Sequence, residues 1–307
     1  MTFMLLTGAG FSHNWGAPLA SQVFSSVLSD RDIDGETRER LIASGGAFEG
    51  VMADFQISSD PEDQKRYEAL LTSVVGIFNG MNQSFMQTQF EFENPPSVQH
   101  SMAAFLSRFH AIFTLNQDTL LEQHYNPHIG PPMNWGHLQC PGMRYMQPYT
   151  PTGSRHDKFA IMEPHPPFAT IPGSGAQPYV KLHGSVNWVE SNRGKRIIIM
   201  GGAKAVSIGR FPVLTWYHDE FRRMLARPSA RLMVIGYSFS DEHINDAIVD
   251  GLASHLKLFV VDPTPFQAID RDKRIDRKQI IGMMNTPLKD IFGGNRYAHT
   301  EISKFFS

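Results

Sequence analysis

One cysteine, Cys140, is all that the 307-residue sequence holds, which excludes an internal disulfide and any zinc site built from four cysteines. Nor is there an apolar run approaching the roughly 18 residues that a membrane span needs. Neither charge is in excess: 28 Lys and Arg against 30 Asp and Glu leave a formal −2. Without a basic field, nucleic acid is not expected as a direct partner. Internal repeats and low-complexity tracts are missing, and Met1 stands almost directly before the first apolar run, so no signal peptide is expected. With so little cysteine, a reducing cytoplasm is the expected compartment, and membrane is not an expected partner.

What is present starts with Met4-Leu5-Leu6-Thr7-Gly8-Ala9-Gly10-Phe11-Ser12. An apolar run enters a Gly-Ala-Gly turn and then a segment, Gly16 to Leu28, that can be helical with Pro18 in its first turn. Strand, glycine turn and helix aim backbone N–H groups at a phosphate, and glycine lets the main chain come close. His13 stands where the GxGxxG fingerprint has its third glycine, so the turn alone is weak evidence.

Further along, residues 30–95 have a helical pattern, with Tyr67, Leu70, Leu71, Val74, Val75 and Phe78 on one face. Pro95-Pro96 closes this helical insertion, and Ser97 can cap the next helix. His110 to Leu115 is a strand-length apolar run ending in Asn116-Gln117-Asp118. Residues 127–178 hold more than half of the prolines. A structureless loop that long is improbable in a compact domain, so a packed lid, a small subdomain or an oligomer arm is expected there. Short β segments follow at Tyr179 to Leu182, Asn187 to Val189 and Arg196 to Met200. Arg231 to Ile235 and Leu256 to Val261 read as buried strands, separated by a helix from about Ser240 to Ser254. Apolar strands alternating with helices predict an α/β chain with a parallel sheet covered by helices on both faces, and the length suits one large domain or two modest ones. Ligands in such sheets sit beyond the carboxyl ends of the strands.

Polar clusters follow the predicted strands at Gly8 to Ser12, Asn116 to Asp118, Lys181 to Ser185, Gly236 to Ser238 and Asp262. Four strings among them, TGAGFS (Thr7–Ser12), TLNQD (Thr114–Asp118), LHGS (Leu182–Ser185) and GYSFSDEHIN (Gly236–Asn245), occur in the order of the sirtuin-like family of NAD-consuming proteins, which the chain resembles. The resemblance implies a Rossmann-like parallel sheet with helices on both faces, a single domain over residues 1–307, and NAD, as substrate, bound over the sheet. Gly8, Ala9, Gly10 and Ser12 would hold its pyrophosphate, with Gln117, Gly236 and Ser238 along the dinucleotide and Asp262 at the adenosine ribose. Asn116 and Asp118 would face the nicotinamide ribose, and His183 matches the family's catalytic histidine.

Two departures point within that family. One cysteine cannot supply the two zinc-binding pairs of its protein deacylases, so no zinc and no other metal is expected. The deacylases' Gly-Ile-Pro-Asp-Phe-Arg is here Gly16-Ala17-Pro18-Leu19-Ala20-Ser21. Both resemble the bacterial branch that hydrolyses NAD in anti-phage defence. That branch implies an NAD glycohydrolase, a homo-oligomer, and a HerA-type motor ATPase or nucleotide-processing partner, which no residue here identifies. The alternatives are ADP-ribosyl transfer or deacylation, a non-catalytic NAD or ADP-ribose sensor, and a scaffold subunit.

The chemistry suits these side chains. Cleaving the nicotinamide–ribose bond needs a fixed ribose, a placed nucleophile and a base. Neutral His183 can take a proton, Asn116 can donate and accept, and Asp118 can orient the cluster or stabilise positive charge on the ribose. Plainer roles exist for each: Asn116 to Asp118 or Ser238 and Asp241 as helix caps, Asp262-Pro263 as a strand exit, His183-Gly184 as a turn. His137, Cys140, His156 and His165 match no zinc spacing. Phe11, Trp15 and Trp188 are expected as core or pocket wall.

Overall fold

In the computed structural model, which describes residues 1–87, 100–125, 140–152, 155–168, 177–202 and 204–307, the apolar start of the chain forms β1 (Thr2–Thr7). Helices α1 (Ala9–His13), α2 (Ala20–Leu28), α3 (Gly35–Ala43), α4 (Phe48–Ile57) and α5 (Pro61–Gln87) follow. Then come α6 (Met102–Leu106), β2 (Ala111–Thr114) and α7 (Leu120–His124). Strands β3 (Met143–Tyr145), β4 (Met162–Pro164), β5 (Tyr179–Lys181), β6 (Gly184–Glu190) and β7 (Lys195–Ile198) make up the middle. The last third is α8 (Lys204–Gly209), α9 (Pro212–Leu225), β8 (Ala230–Ile235), α10 (Glu242–Ala253), β9 (Lys257–Val261), α11 (Pro265–Ile269), β10 (Ile280–Met284), α12 (Leu288–Phe292) and α13 (Arg296–Ser303).

Six strands pair in parallel in the order β10-β9-β8-β1-β2-β5, the Rossmann-like α/β arrangement. Successive residues Met4, Leu5 and Leu6 are all fully buried, so both faces of β1 are covered. From β1 the chain moves to β2 and β5 on one side, then returns to place β8, β9 and β10 on the other. The order therefore switches between β1 and β8, and a crevice opens there beyond the strands' carboxyl ends.

A second sheet, β3-β4-β6-β7, adjoins the first through the turn at His183. Apolar residues of α2 to α5 form a separate core with Val186 and Ile198 of this smaller sheet and Met200 just beyond β7. Leu70, Val74 and Val75 of α5 are buried in it, with Tyr67, Leu71 and Phe78 packed against it. Phe11, Trp15 and Trp188 are all core residues.

Several local expectations differ from the structure. The second helix starts at Ala20, so Pro18 precedes it; Gly16 at φ +91° turns the chain first, and Gln22 Oε1 accepts from the N–H of the cap residue Leu19. Helix α6 is capped by Ser101, whose hydroxyl accepts from the Ala104 N–H; Ser97 lies outside the described residues. Strand β10 was not expected, because Gly282 and a register shift break its pattern and an edge strand is only half-covered. Of the proline-rich stretch 127–178, residues 127–139, 153–154 and 169–176 lie outside the described residues, so its expected role as lid, subdomain or arm does too. The described parts include β3 and β4.

Candidate active site

The turns after β1 and β8 meet at the switch point, backbone against backbone. Gly10 N–H donates to the Gly236 carbonyl at 2.9 Å, and Gly8 N–H donates to that of Ile235 at 3.0 Å. A Cβ on Gly10 would lie 2.7 Å from Gly236 Cα, and one on Gly236, held at φ +64°, would lie 2.3 Å from Phe11 N. The glycines are thus required by one another, whatever ligand the turn also approaches. Of the N–H groups in this turn, that of Ala9 has no partner among the described residues.

Beside it, β2 ends in Thr114, whose hydroxyl accepts from Thr7 Oγ1 at 2.7 Å and from the Asn116 N–H at 3.0 Å. The Asn116 amide nitrogen then donates to the Gly8 carbonyl and to Ser12 Oγ, both at 3.0 Å. A carbonyl only accepts, so the orientation of this amide is decided by its neighbours. Asn116 therefore has no donor left for a ligand, contrary to the expectation that it both donates and accepts. Its Oδ1 is the atom that remains.

Asp118 is almost wholly buried, and its Oδ1 accepts from the Leu120 N–H at 2.9 Å at the start of α7. Burial pushes its carboxyl pKa up, and the Lys181 ammonium, the Leu120 N–H and the Ser12 hydroxyl oppose that. Lys181, fully buried, donates to the Asp118 carbonyl and pairs with Glu122 at 2.7 Å, which holds this backbone in place. Gln117 is tied elsewhere: its side chain donates to the Ile199 carbonyl at 2.7 Å, fastening the strand exit after β7.

His183 sits in the turn between β5 and β6, beside Gly184 at φ +73°, where a Cβ would fall 2.0 Å from the Ile197 carbonyl. The ring is 3% exposed, and its Nε2 lies 2.9 Å from Nε2 of His243 on α10. Burial first, then the charge of Lys204, then His243 and His218, push its pKa well below the usual histidine value. His218 on α9 donates through Nε2 to the Leu182 carbonyl at 3.0 Å, and burial pushes it down to about 4. Lys204 on α8 pairs with Asp241 at 2.6 Å and with Glu49 of α4 at 3.0 Å. Asp241 makes no side-chain cap on α10; the Tyr237 hydroxyl accepts from its N–H instead.

Ser238 Oγ lies 2.9 Å from Ser240 Oγ, and its carbonyl accepts from Arg271 at 3.3 Å. Asp262 closes β9 by accepting from the Thr264 N–H at 2.9 Å through Oδ1, the strand-exit role. Its Oδ2 has no partner among the described residues.

All eleven residues expected at the site line one cavity of about 780 Å³: Gly8, Ala9, Gly10, Ser12, Asn116, Gln117, Asp118, His183, Gly236, Ser238 and Asp262. That size is within the roughly 300–1,000 Å³ of small-molecule and cofactor sites. Lys204, Asp241 and Arg271 also line it and were missed, as were His243 and His218 behind it. The string GYSFSDEHIN carries Asp241 and His243, but nothing in the sequence brings Lys204 or His218 to them. Among the described residues, no group of three or more His, Cys, Asp or Glu is arranged to hold a metal. Cys140 is buried, which pushes its thiol pKa up; His165 is exposed, and His137 lies outside the described residues.

In sequence, the family model described as SIR2-like domain matches residues 110–281, more than half of the chain. No curated protein matches. Among solved structures, the chain is similar to a Sir2–p53 peptide–NAD+ complex at 13% identity and TM-score 0.42, covering 99% of this chain and 94% of that one. It is also similar to a Sir2 in complex with the inhibitor EX-527, 2'-O-acetyl-ADP-ribose and deacetylated p53 peptide, at 14% identity and TM-score 0.40 over 98% and 94%. A Sir2 homologue–NAD complex is similar at 14% identity and TM-score 0.39 over 100% and 91%.

Proposed function

This chain belongs to the SIR2-like domain family, and from that premise we propose that it is an NAD+ glycohydrolase, releasing nicotinamide and ADP-ribose. The observation that carries the reading is the pair Asn116 and His183. Both line the cavity at the strands' carboxyl ends, one presenting only an acceptor oxygen and the other a buried neutral imidazole. A cationic nicotinamide leaves as a neutral molecule, so the site needs no strong acid. It needs an acceptor to fix a ribose hydroxyl or water and a base to take the proton.

In this reading Asn116 Oδ1 holds the attacking water or a ribose hydroxyl, and His183 is the base. Asp118 holds the Asn116–Ser12 turn and the start of α7. Ala9 offers its N–H to the pyrophosphate, while Gly8, Gly10 and Gly236 build the close-packed turns beneath it. Ser238 lies along the dinucleotide, and Asp262 Oδ2 accepts from the adenosine ribose. Gln117 supports the wall rather than the ligand. The single cysteine separates the chain from zinc-bearing deacylases. NAD depletion in anti-phage defence, in an oligomer with a HerA-type ATPase, is the setting that the motif resemblance supports.

The test is incubation of the purified protein with NAD+, alone and with the product of a neighbouring gene, with identification of products by mass spectrometry. Nicotinamide and ADP-ribose in equal amounts are the expected result. NAD+ bound but never consumed would favour a sensor, and acyl-lysine turnover would favour a deacylase.

A further inference from the structure

His183 and His243 come from elements 60 positions apart, yet their Nε2 atoms are 2.9 Å apart. Such a contact needs one nitrogen to donate and the other to accept, so the two rings share one proton between them. His183 lines the cavity; His243 stands behind it and does not. Nε2 of His183 is thereby committed to the protein, and Nδ1 has no partner among the described residues.

We propose that His243 is a positioning residue that accepts from His183 Nε2–H, keeps Nδ1 of His183 bare toward the substrate, and takes up the proton that His183 receives. This rests on the hydrolase reading above. In the step, water loses a proton to His183 Nδ1 while its oxygen bonds to the ribose C1′. The C1′–N bond breaks, and its electron pair goes to the nicotinamide ring, which leaves neutral. The proton on His183 Nε2 shifts to His243 Nε2, so the positive charge settles on His243. As the products leave, it returns to His183 Nε2 and the Nδ1 proton goes to solvent. This restores the starting tautomer and accounts for the one proton that hydrolysis releases.

The surroundings favour that direction. His183 is buried and faces cations or other imidazoles: Lys204 from α8, His218 from α9 and His243 from α10. His243 is only partly buried; burial lowers its pKa too, but the carboxylates of the cap residue Asp241 and of Asp246 on α10 oppose that, against Lys204 of α8 and Arg222 of α9. Lys204 is itself paired with Asp241 and Glu49, which reduces its effect. A positive charge is therefore better held on His243 than on His183. His218 cannot substitute, because its Nε2–H is spent on the Leu182 carbonyl.

The test combines nitrogen-15 NMR on histidine-labelled protein with kinetics of His243→Phe and His243→Gln. In the wild type, His183 should show the Nε2–H tautomer, and the two rings should titrate as one coupled pair. In His243→Phe, kcat should fall by about 10- to 10³-fold with KM for NAD+ little changed, short of the roughly 10⁴ lost when a base is held in the wrong tautomer. His243→Gln can still accept from Nε2–H, so it should keep the tautomer and recover part of kcat, with His183 now titrating in a single step. A wild-type His183 protonated on Nδ1, or a His243→Phe variant with unchanged kcat and pH profile, would overturn the proposal. If the wild type consumes no NAD+, the hydrolase reading fails, and the tautomer measurement still decides the pairing.

Discussion

The side-chain amide of Asn116 and the carbonyl of Gly8 are joined at 3.0 Å, tying the turn after β2 to the turn after β1. This bond spends the amide nitrogen on the scaffold and leaves the oxygen facing the cavity without a partner among the described residues. Asn116→Asp replaces a donor with an acceptor facing a carbonyl, so it should destabilise the fold by about 1–3 kcal/mol, read from denaturant unfolding. Asn116→Ala should lower kcat for NAD+ by about 10²-fold, the typical effect of a misplaced reactant, with binding largely kept.

His183 and Asp262 should separate turnover from binding. His183→Ala removes the proposed base, and a placed base is worth a factor of about 10² to 10⁴ in rate. Calorimetry on the same sample should still detect NAD+. Asp262→Ala should leave kcat near the wild-type value and raise the NAD+ concentration needed. Full turnover by His183→Ala would mean that the base lies elsewhere.

Lys204 tests the electrostatics. After burial, its charge is the largest influence holding His183 below the usual histidine pKa. Removing it in Lys204→Met raises that pKa, so protonation of the base sets in at higher pH. The acid limb of the pH–kcat profile should move upward, with the alkaline side unaffected. An unmoved or downward-shifted limb would show that Lys204 does not act on His183.

Acid stability follows from the same histidines. In the unfolded chain a histidine titrates near pH 6.5, whereas folding pushes His218 down to about 4. Between those values the unfolded state binds more protons, so stability must fall as pH falls from about 6.5 toward 4. Denaturant midpoints measured across that range should decline, and less steeply in His218→Gln, which retains a donor for the Leu182 carbonyl.

Gly184 should tolerate no side chain. At φ +73°, with the Ile197 carbonyl 2.0 Å from any Cβ, Gly184→Ala adds a backbone clash to a left-handed conformation that itself costs about 1–2 kcal/mol. A melting temperature well below wild type is expected, together with loss of NAD+ turnover, because the His183 turn moves with it.

Much of this protein was determined by its sequence. Runs such as Met4 to Leu6 and Leu232 to Ile235 are apolar at every position, which only a sheet covered on both faces can bury, and that makes the strands parallel. Polar residues after such runs must emerge at one end of the sheet, so the five polar clusters that hold the eleven cavity-lining residues were legible, while the choice among their residues came from the family resemblance. Tertiary structure alone decided which atoms of those residues remain for a ligand. Gly8 and Gly10 face Gly236, Gln117 is bound to Ile199, and Asn116 has lost its donors to Gly8 and Ser12. The His183–His243 pair and Lys204 beside it were equally invisible, because they join α8, α10 and the β5–β6 turn. Local pattern reports whether a residue is buried; the partners of its polar atoms depend on which distant elements the fold brings within 3 Å.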